Sequence, residues 1–170
     1  MDFRISGKVA FVAGGSKGMG REAALALAAE GCKVLIVARG QEAIDAVVSE
    51  IRAKGGVAEG VSSDLTSREG VEKALDVCRG HWDMPDIVVA QTNDYSEGRA
   101  VSMDPEVVEK VFRIYTMSAI YLAQATVPAM QAKKWGRFVH IGSGTAKEPE
   151  FRFPHSVANV PRPAASGFLT

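Results

Sequence analysis

The chain has 170 residues, enough for one domain with a real core, and its 20 Lys+Arg and 20 Asp+Glu cancel to a formal net charge of zero. That balance leaves no basic surplus for nucleic acid or an anionic membrane, and no apolar run reaches the length of a membrane span. The start, MDFRISGKVA, lacks the apolar centre of a secretion signal, so a cytoplasmic setting is the default expectation; Cys32 and Cys78 form no CxxC pair and read as buried free thiols, and His81, His140 and His155 show no metal-ligand spacing.

Val9 to Ala13 is a short apolar run of strand type, and Arg21 to Glu30 is an unbroken stretch of strong helix formers. Between them, Gly14, Gly18 and Gly20 permit a tight turn and close approach of a ligand to the backbone. A helix starting near Met19 would add unpaired N–H groups and a positive dipole end, which is the equipment of a phosphate site. A P-loop reading fails, because Arg21 stands in the lysine position and Glu22, a carboxylate, in that of the Mg²⁺-binding hydroxyl. The common G-x-G-x-x-G fingerprint fails as well, since the order is Gly14, three residues, Gly18, one residue, Gly20. The G-x-x-x-G-x-G spacing in AGGSKGMG resembles the cofactor turn of the short-chain dehydrogenase/reductase family. The resemblance makes Gly14, Ser16, Lys17, Gly18, Met19 and Gly20 candidates for holding a nicotinamide dinucleotide. It implies a doubly wound parallel α/β sheet of Rossmann type with helices on both faces, and residues 1–170 are expected to form a single dinucleotide-binding domain.

Lys33 to Ala38 (KVLIVA) reads as a second strand, buried on both faces. Arg39 follows at once, where a site selective for the unphosphorylated ribose would place an acid; an arginine suits a 2′-phosphate, and Lys17 reaches toward the same place. The pair favours NADP(H) over NAD(H), against the alternative that both are solvated surface charges. Gln41 to Lys54 carries the stripe Ile44, Val47, Val48 and Ile51 of a helix packed on a sheet, ended by Gly55 and Gly56.

Val57 to Ser63 reads as a third strand with Asp64 and Leu65 at its carboxyl end. SSDLTS resembles the family's acidic segment at the adenine ring; Asp64 also suits a turn-ordering role ahead of a helix capped by Thr66 or Ser67 and running through Cys78, and the two roles are compatible. Asp86 to Ala90 is a fourth apolar strand. Ala90, Gln91, Thr92 and Asn93 fall where the family has N-N-A-G beneath the nicotinamide ribose, and none of the four matches. Small Ala90 still allows the cofactor against the backbone, whereas the bracing amide hydrogen bonds are expected from elsewhere.

Asp104 and Pro105 make a helix entry, and from Glu106 to about Val127 the positions Val107, Val111, Ile114, Ser118, Ala119, Leu122 and Ala123 form a broad stripe limited by Pro128. The tail QATVPAM resembles the family's corresponding helix, which implies a homo-oligomer (dimer or tetramer) paired through it. It also puts Tyr115 at the usual active-site asparagine, either entering the crevice as a proton donor or packed as a core tyrosine. Arg137 to Ile141 is a fifth strand. GRFVHIGS resembles the segment that delivers the family's catalytic serine, so Ser143 either polarises a substrate oxygen or satisfies a turn.

The family's Y-x-x-x-K pair is absent. At the usual distance after Ser143 its positions fall on Ser156 and Val160; aligned by local pattern, ANVPRPAASGF resembles a divergent branch reading S-N-x-x-R, which places Ala158 and Arg162 there. Arg162 suits ribose or phosphate binding but stays protonated, and His155 and Ser156 are weaker substitutes as donors. The chain stops inside the following helix, leaving the fifth strand at a sheet edge, so the C-terminal part of the family fold is expected to lie beyond Thr170. With Arg39 and Lys17, the resemblance implies an NADP(H)-dependent oxidoreductase acting on a carbonyl or secondary alcohol of a small molecule, with Ser143 polarising oxygen and the proton donor unidentified; the charge balance and the lack of a membrane-length run point to no nucleic-acid or membrane partner. The loss of asparagine, tyrosine and lysine together points to the alternative, a catalytically silent nucleotide-binding or assembly subunit.

Overall fold

The apolar runs become five parallel strands, β1 (Val9–Ala13), β2 (Lys33–Ala38), β3 (Val57–Ser62), β4 (Ile87–Ala90) and β5 (Arg137–His140), in the order β3-β2-β1-β4-β5. The computed structural model describes residues 3–92 and 104–142. Every residue of β1 and β4 is buried, which is why both read as continuous apolar runs rather than as alternating ones.

Alternate residues serve opposite faces. Phe11, Leu35, Val37 and Val88 pack with Val71, Leu75 and Cys78 of α3 (Arg68–His81) and Leu122 of α5 (Ser118–Ala132). On the other face Val12, Val34, Ile36 and Val89 pack with Ala24 and Ala28 of α1 (Gly18–Ala29) and with Ile44, Val47, Val48 and Ile51 of α2 (Gln41–Ala53), the stripe expected from the sequence. Each such large side chain contributes about 1.5–3 kcal/mol by leaving water. The result is a doubly wound, Rossmann-type sheet with helices on both faces.

Strand order decides where a ligand can sit. From β1 the chain proceeds to β2 and β3 on one side, then crosses to β4 and β5 on the other, so the crossovers diverge at the carboxyl ends of β1 and β4 and leave a crevice there. The opposite end of the sheet is closed by polar ties. Asp86, buried just before β4, accepts from the Val9 N–H at 3.0 Å and lies 3.4 Å from Lys133 Nζ, while its own N–H donates to the Val9 carbonyl at 2.8 Å. Trp135 is flanked there by Lys8 at 4.4 Å and by the Arg137 guanidinium at 5.0 Å from its ring centre.

One segment departs from expectation. The predicted long helix is α4 (Pro105–Phe112), a π-helical turn (Arg113–Met117) and α5. Asp104 caps α4, accepting from the Glu106 N–H at 2.9 Å. Pro128 does not end the regular segment but sits inside α5, which runs on to Ala132. Proline deletes one N–H, and the helix resumes because Met130 is held in the core and later donors still find carbonyls, Lys133 N reaching Ala129 O at 3.0 Å. Cys32 and Cys78 are buried free thiols, and burial pushes the Cys78 thiol up to about 12. No described helix is long and apolar enough to cross a membrane, and the described residues contain no His/Cys/Asp/Glu group suited to a metal.

Candidate dinucleotide site

The crevice at the carboxyl ends of β1, β2, β3 and β4 holds a cavity of about 570 Å³. Its floor is the glycine turn. Gly14 has φ +66, and a Cβ there would collide with the Gln91 backbone carbonyl, so two requirements converge on glycine at this position. Gly20 lies inside α1 and needs no unusual φ; it is glycine because the Gly14 carbonyl and the Gln91 side chain leave no room for a Cβ.

Lys17 is the N-cap residue of α1, and no side chain caps this helix, in contrast to α3, where the Ser67 hydroxyl accepts from the Gly70 N–H at 3.0 Å. The first-turn N–H groups of α1 are thus left to the cavity, on which Gly14, Ser16, Lys17, Gly18 and Met19 all lie. An uncapped helix start, a glycine turn and a cation on one wall form an anion cradle.

The rest of the lining comes from neighbouring strand ends. Ala38, Arg39 and Gly40 leave β2; Ser63, Asp64, Leu65 and Thr66 leave β3. The Arg39 backbone carbonyl accepts from the Ser62 hydroxyl at 2.8 Å, fixing the two exits side by side. Asp64 lines the cavity and accepts from the Thr66 N–H at 3.0 Å, so it orders the turn toward α3 and faces the crevice at once. A smaller cavity of about 300 Å³ adjoins this end, sharing Arg39, Asp64, Thr66 and Ile114 and bordered by Glu106, Glu109, Lys110 and Arg113 of the α4 region.

Of the residues singled out from the sequence, Gly14, Ser16, Lys17, Gly18, Met19, Arg39, Asp64 and Leu65 meet on this one cavity. Gly20 is buried beneath it. Ala90 is buried at the end of β4, within the core, and is not among the lining residues. Tyr115 sits in the π-helical turn, 6% exposed, clustered with Val111 and Ile114; its neighbour Ile114 lines the cavity and Tyr115 does not. Ser143 and Arg162, like Asn93, His155, Ser156, Ala158 and Val160, lie outside the described residues.

Ser63, Gln91, Thr92 and Ile114 are among the lining residues that the sequence did not single out as site residues. The Thr92 hydroxyl donates to the Ile114 carbonyl and lies 2.9 Å from the Ser118 hydroxyl, which donates to the same carbonyl. That carbonyl belongs to the π-helical turn, where the regular i→i+4 partner is displaced, and the two hydroxyls fill the gap. Gln91 and Thr92 had a signal in the sequence, their place directly after the fourth strand; Ile114 had none, because only the irregular turn brings it to the crevice.

Comparison with known proteins agrees with this geometry. The profile of the short chain dehydrogenase family matches residues 8–158. Versicolorin reductase stcU of Emericella nidulans is 31% identical over 164 residues, 96% of this chain and 58% of that protein. The 3-oxoacyl-[acyl-carrier-protein] reductase FabG of Aquifex aeolicus is 32% identical over 144 residues, 84% of this chain and 58% of that one. The crystal structure of L-sorbose reductase from Gluconobacter frateurii, complexed with NADPH and L-sorbose, superposes with a TM-score of 0.90 at 30% identity, covering 99% of this chain and 64% of that chain. The chain thus spans about three fifths of the length of these relatives. The glycine turn, the strand order and the profile match converge on one assignment: this chain belongs to the short-chain dehydrogenase family.

Proposed function

We propose that the protein is an NADP(H)-dependent oxidoreductase that interconverts a carbonyl and a secondary alcohol of a small molecule. The observation that carries this reading is the convergence of the uncapped α1 start, Lys17, Arg39 and Asp64 on one cavity at the switch point of the sheet. In this reading Gly14, Ser16, Gly18, Met19 and Gly20 shape the diphosphate cradle, and Arg39 with Lys17 receives the 2′-phosphate. Asp64 and Leu65 border the adenine, and Ala90 backs the nicotinamide half. The reductase names of the relatives, and NADPH in the sorbose reductase complex, support the reaction class and the cofactor.

When bound, the nicotinamide supplies or accepts the hydride. The chain's own residues would bind, orient and move a proton. Ser143 is assigned to donating a hydrogen bond to the substrate oxygen, stabilising the charge that develops on it, and Arg162 to holding ribose or phosphate. The proton donor is left unassigned, with Tyr115 the first candidate to test and His155 and Ser156 behind it. We further assign residues 1–170 to one dinucleotide-binding domain, working as a homo-oligomer in a cytoplasmic setting.

A second reading, a catalytically silent nucleotide-binding or assembly subunit, is favoured by one specific observation: the Tyr115 phenol is buried in an apolar cluster off the cavity wall. Fluorescence titration with NADPH and NADH, followed by a panel of small carbonyl substrates, separates the two. Tight NADPH binding with substrate-dependent oxidation is the expected result. Binding without oxidation supports the silent subunit, and absence of binding defeats both.

A further inference from the structure

The sheet has an outer edge at β3, and among the described residues no strand pairs with it from outside. The Ser63 N–H donates to the Ala38 carbonyl of β2 at 2.9 Å, so strand alternation turns the backbone groups of Ala58, Gly60 and Ser62 the other way, to the free edge. Such a row of donors and acceptors is a template for a further strand, and Val57, half exposed at its start, is apolar surface that pairing would cover. Two of the three outward carbonyls are filled. Arg52, in the last turn of α2, donates through Nε to the Ala58 carbonyl at 3.0 Å and is held there by Glu59; Lys73 of α3 donates through Nζ to the Ser62 carbonyl at 2.9 Å. The two cations come from helices on opposite faces of the sheet, and the carbonyls they cap flank Gly60, which no described side chain caps.

This chemistry suits exclusion better than ligand binding. Glu59 already engages the Arg52 guanidinium, the Lys73 ammonium gives a donor to a neutral carbonyl, and a cation at a strand edge must shed water before another backbone can approach. A second copy of this chain has the matching groups. Paired antiparallel about Gly60, Ala58 of one copy faces the partner's Ser62, so each Arg52 meets the partner's Lys73, cation against cation. We propose that Arg52 and Lys73 close the β3 edge to a second copy of this chain, keeping the two from pairing strand to strand. The guarded edge borders the ligand site. Ser62 and Lys73 line a groove of about 440 Å³ that shares Arg39, Ser63 and Asp64 with the main cavity, so a chain added along β3 as far as Ser62 would stand at the cavity wall.

The test compares the parent with Arg52→Met/Lys73→Met, with Lys73→Met alone, and with Lys54→Met/Arg79→Met, which removes the same charge at α2 and α3 and leaves both edge caps in place. Sedimentation velocity over a concentration series gives the association state, amide hydrogen exchange locates the contact, and melting temperatures check folding. The expected result is self-association of the edge double variant at about tenfold lower concentration than the parent, a smaller shift for Lys73→Met, and parent behaviour for the charge control. Exchange at Ala58, Gly60 and Ser62 slows in the associated variant. Parent-like association of the edge double variant overturns the inference; so does equal association of the charge control, or protection that leaves those three amides unchanged. If the edge double variant melts well below the parent, Lys73→Met decides alone: association with protection at Ser62 supports the guard, and its absence overturns it.

Discussion

The backbone carbonyl of Gln91 occupies the volume that a side chain on Gly14 would need, so the exit of β4 and the turn after β1 are fitted to each other at a single point. Gly14→Ala must therefore displace backbone, not a flexible side-chain tip, and must hold alanine at φ +66 as well. The expected loss is about 2–4 kcal/mol in urea unfolding. Gly18→Ala is the matched control, since at φ +53 it meets no atom within 4 Å, and it should lose about 1 kcal/mol. Equal losses at the two positions would show that conformation alone decides both.

Arg39→Asp should convert cofactor preference. Removing the cation takes away a charge-assisted partner for the 2′-phosphate and introduces repulsion, so NADPH binding is expected to weaken by about a hundredfold, while NADH, free of that phosphate, changes little or improves. Competition titrations measure the ratio. A ratio unchanged from the parent would remove Arg39 from the site.

Tyr115→Phe tests the proton donor with one oxygen removed from a buried position. Loss of a general acid lowers turnover by about a hundredfold or more and leaves the NADPH dissociation constant unaltered. Turnover equal to the parent eliminates Tyr115 and moves the search to residues beyond Gly142.

Much of this architecture was readable from the linear chain, for a physical reason. Strands buried on both faces must be apolar throughout, so VAFVA, KVLIVA and IVVA declare themselves, and a helix lying on them shows its stripe at Ile44, Val47, Val48 and Ile51. The cradle was readable because glycine spacing and adjacent charges are local. The π-helical turn was not: its stripe is indistinguishable from that of a regular helix, and its stabilising partner, Thr92, is 22 residues away from Ile114. Gln91 was legible as a departure from a motif, but its contact with Gly14 and Gly20 belongs to the parallel pairing of β1 with β4.

Acid stability should depend on the pair Asp83 and Lys133, 2.8 Å apart. The ammonium holds the Asp83 carboxyl below the usual carboxylate range. A depressed folded value means that the unfolded chain binds the proton more tightly, so the pair's contribution is complete above the ordinary value near 4 and fades as pH falls through the lower folded value. Asp83 is well exposed, so Lys133→Met should flatten this acid limb by no more than about 1 kcal/mol. A parent and variant differing equally at pH 7 and pH 3 would exclude the linkage.

At the alkaline end the sign reverses. The Cys78 thiol, raised to about 12 by burial, stays neutral in the fold, whereas the unfolded thiol ionises near 8.5. Stability should therefore decline as pH rises above that unfolded value, and Cys78→Val should lessen the decline. In native buffer both Cys32 and Cys78 should resist an aromatic disulfide reagent, then react at once in denaturant. Rapid native labelling of Cys78 would contradict its burial.

The π-helical turn also sets a phase. One residue too many in a helix rotates everything before it by about 100° relative to everything after it. Across Arg113–Met117 the buried stripe of α5 looks toward the sheet through Leu122 and Met130, while α4 turns Glu106, Glu109 and Lys110 to the rim of the small cavity beside Arg39. Excising a single residue there would splice α4 and α5 into one straight rod and swing that charged rim away from the crevice. The irregular turn thereby works as a rotational offset, allowing one stretch of chain to seal the core with one face and border the ligand entrance with another.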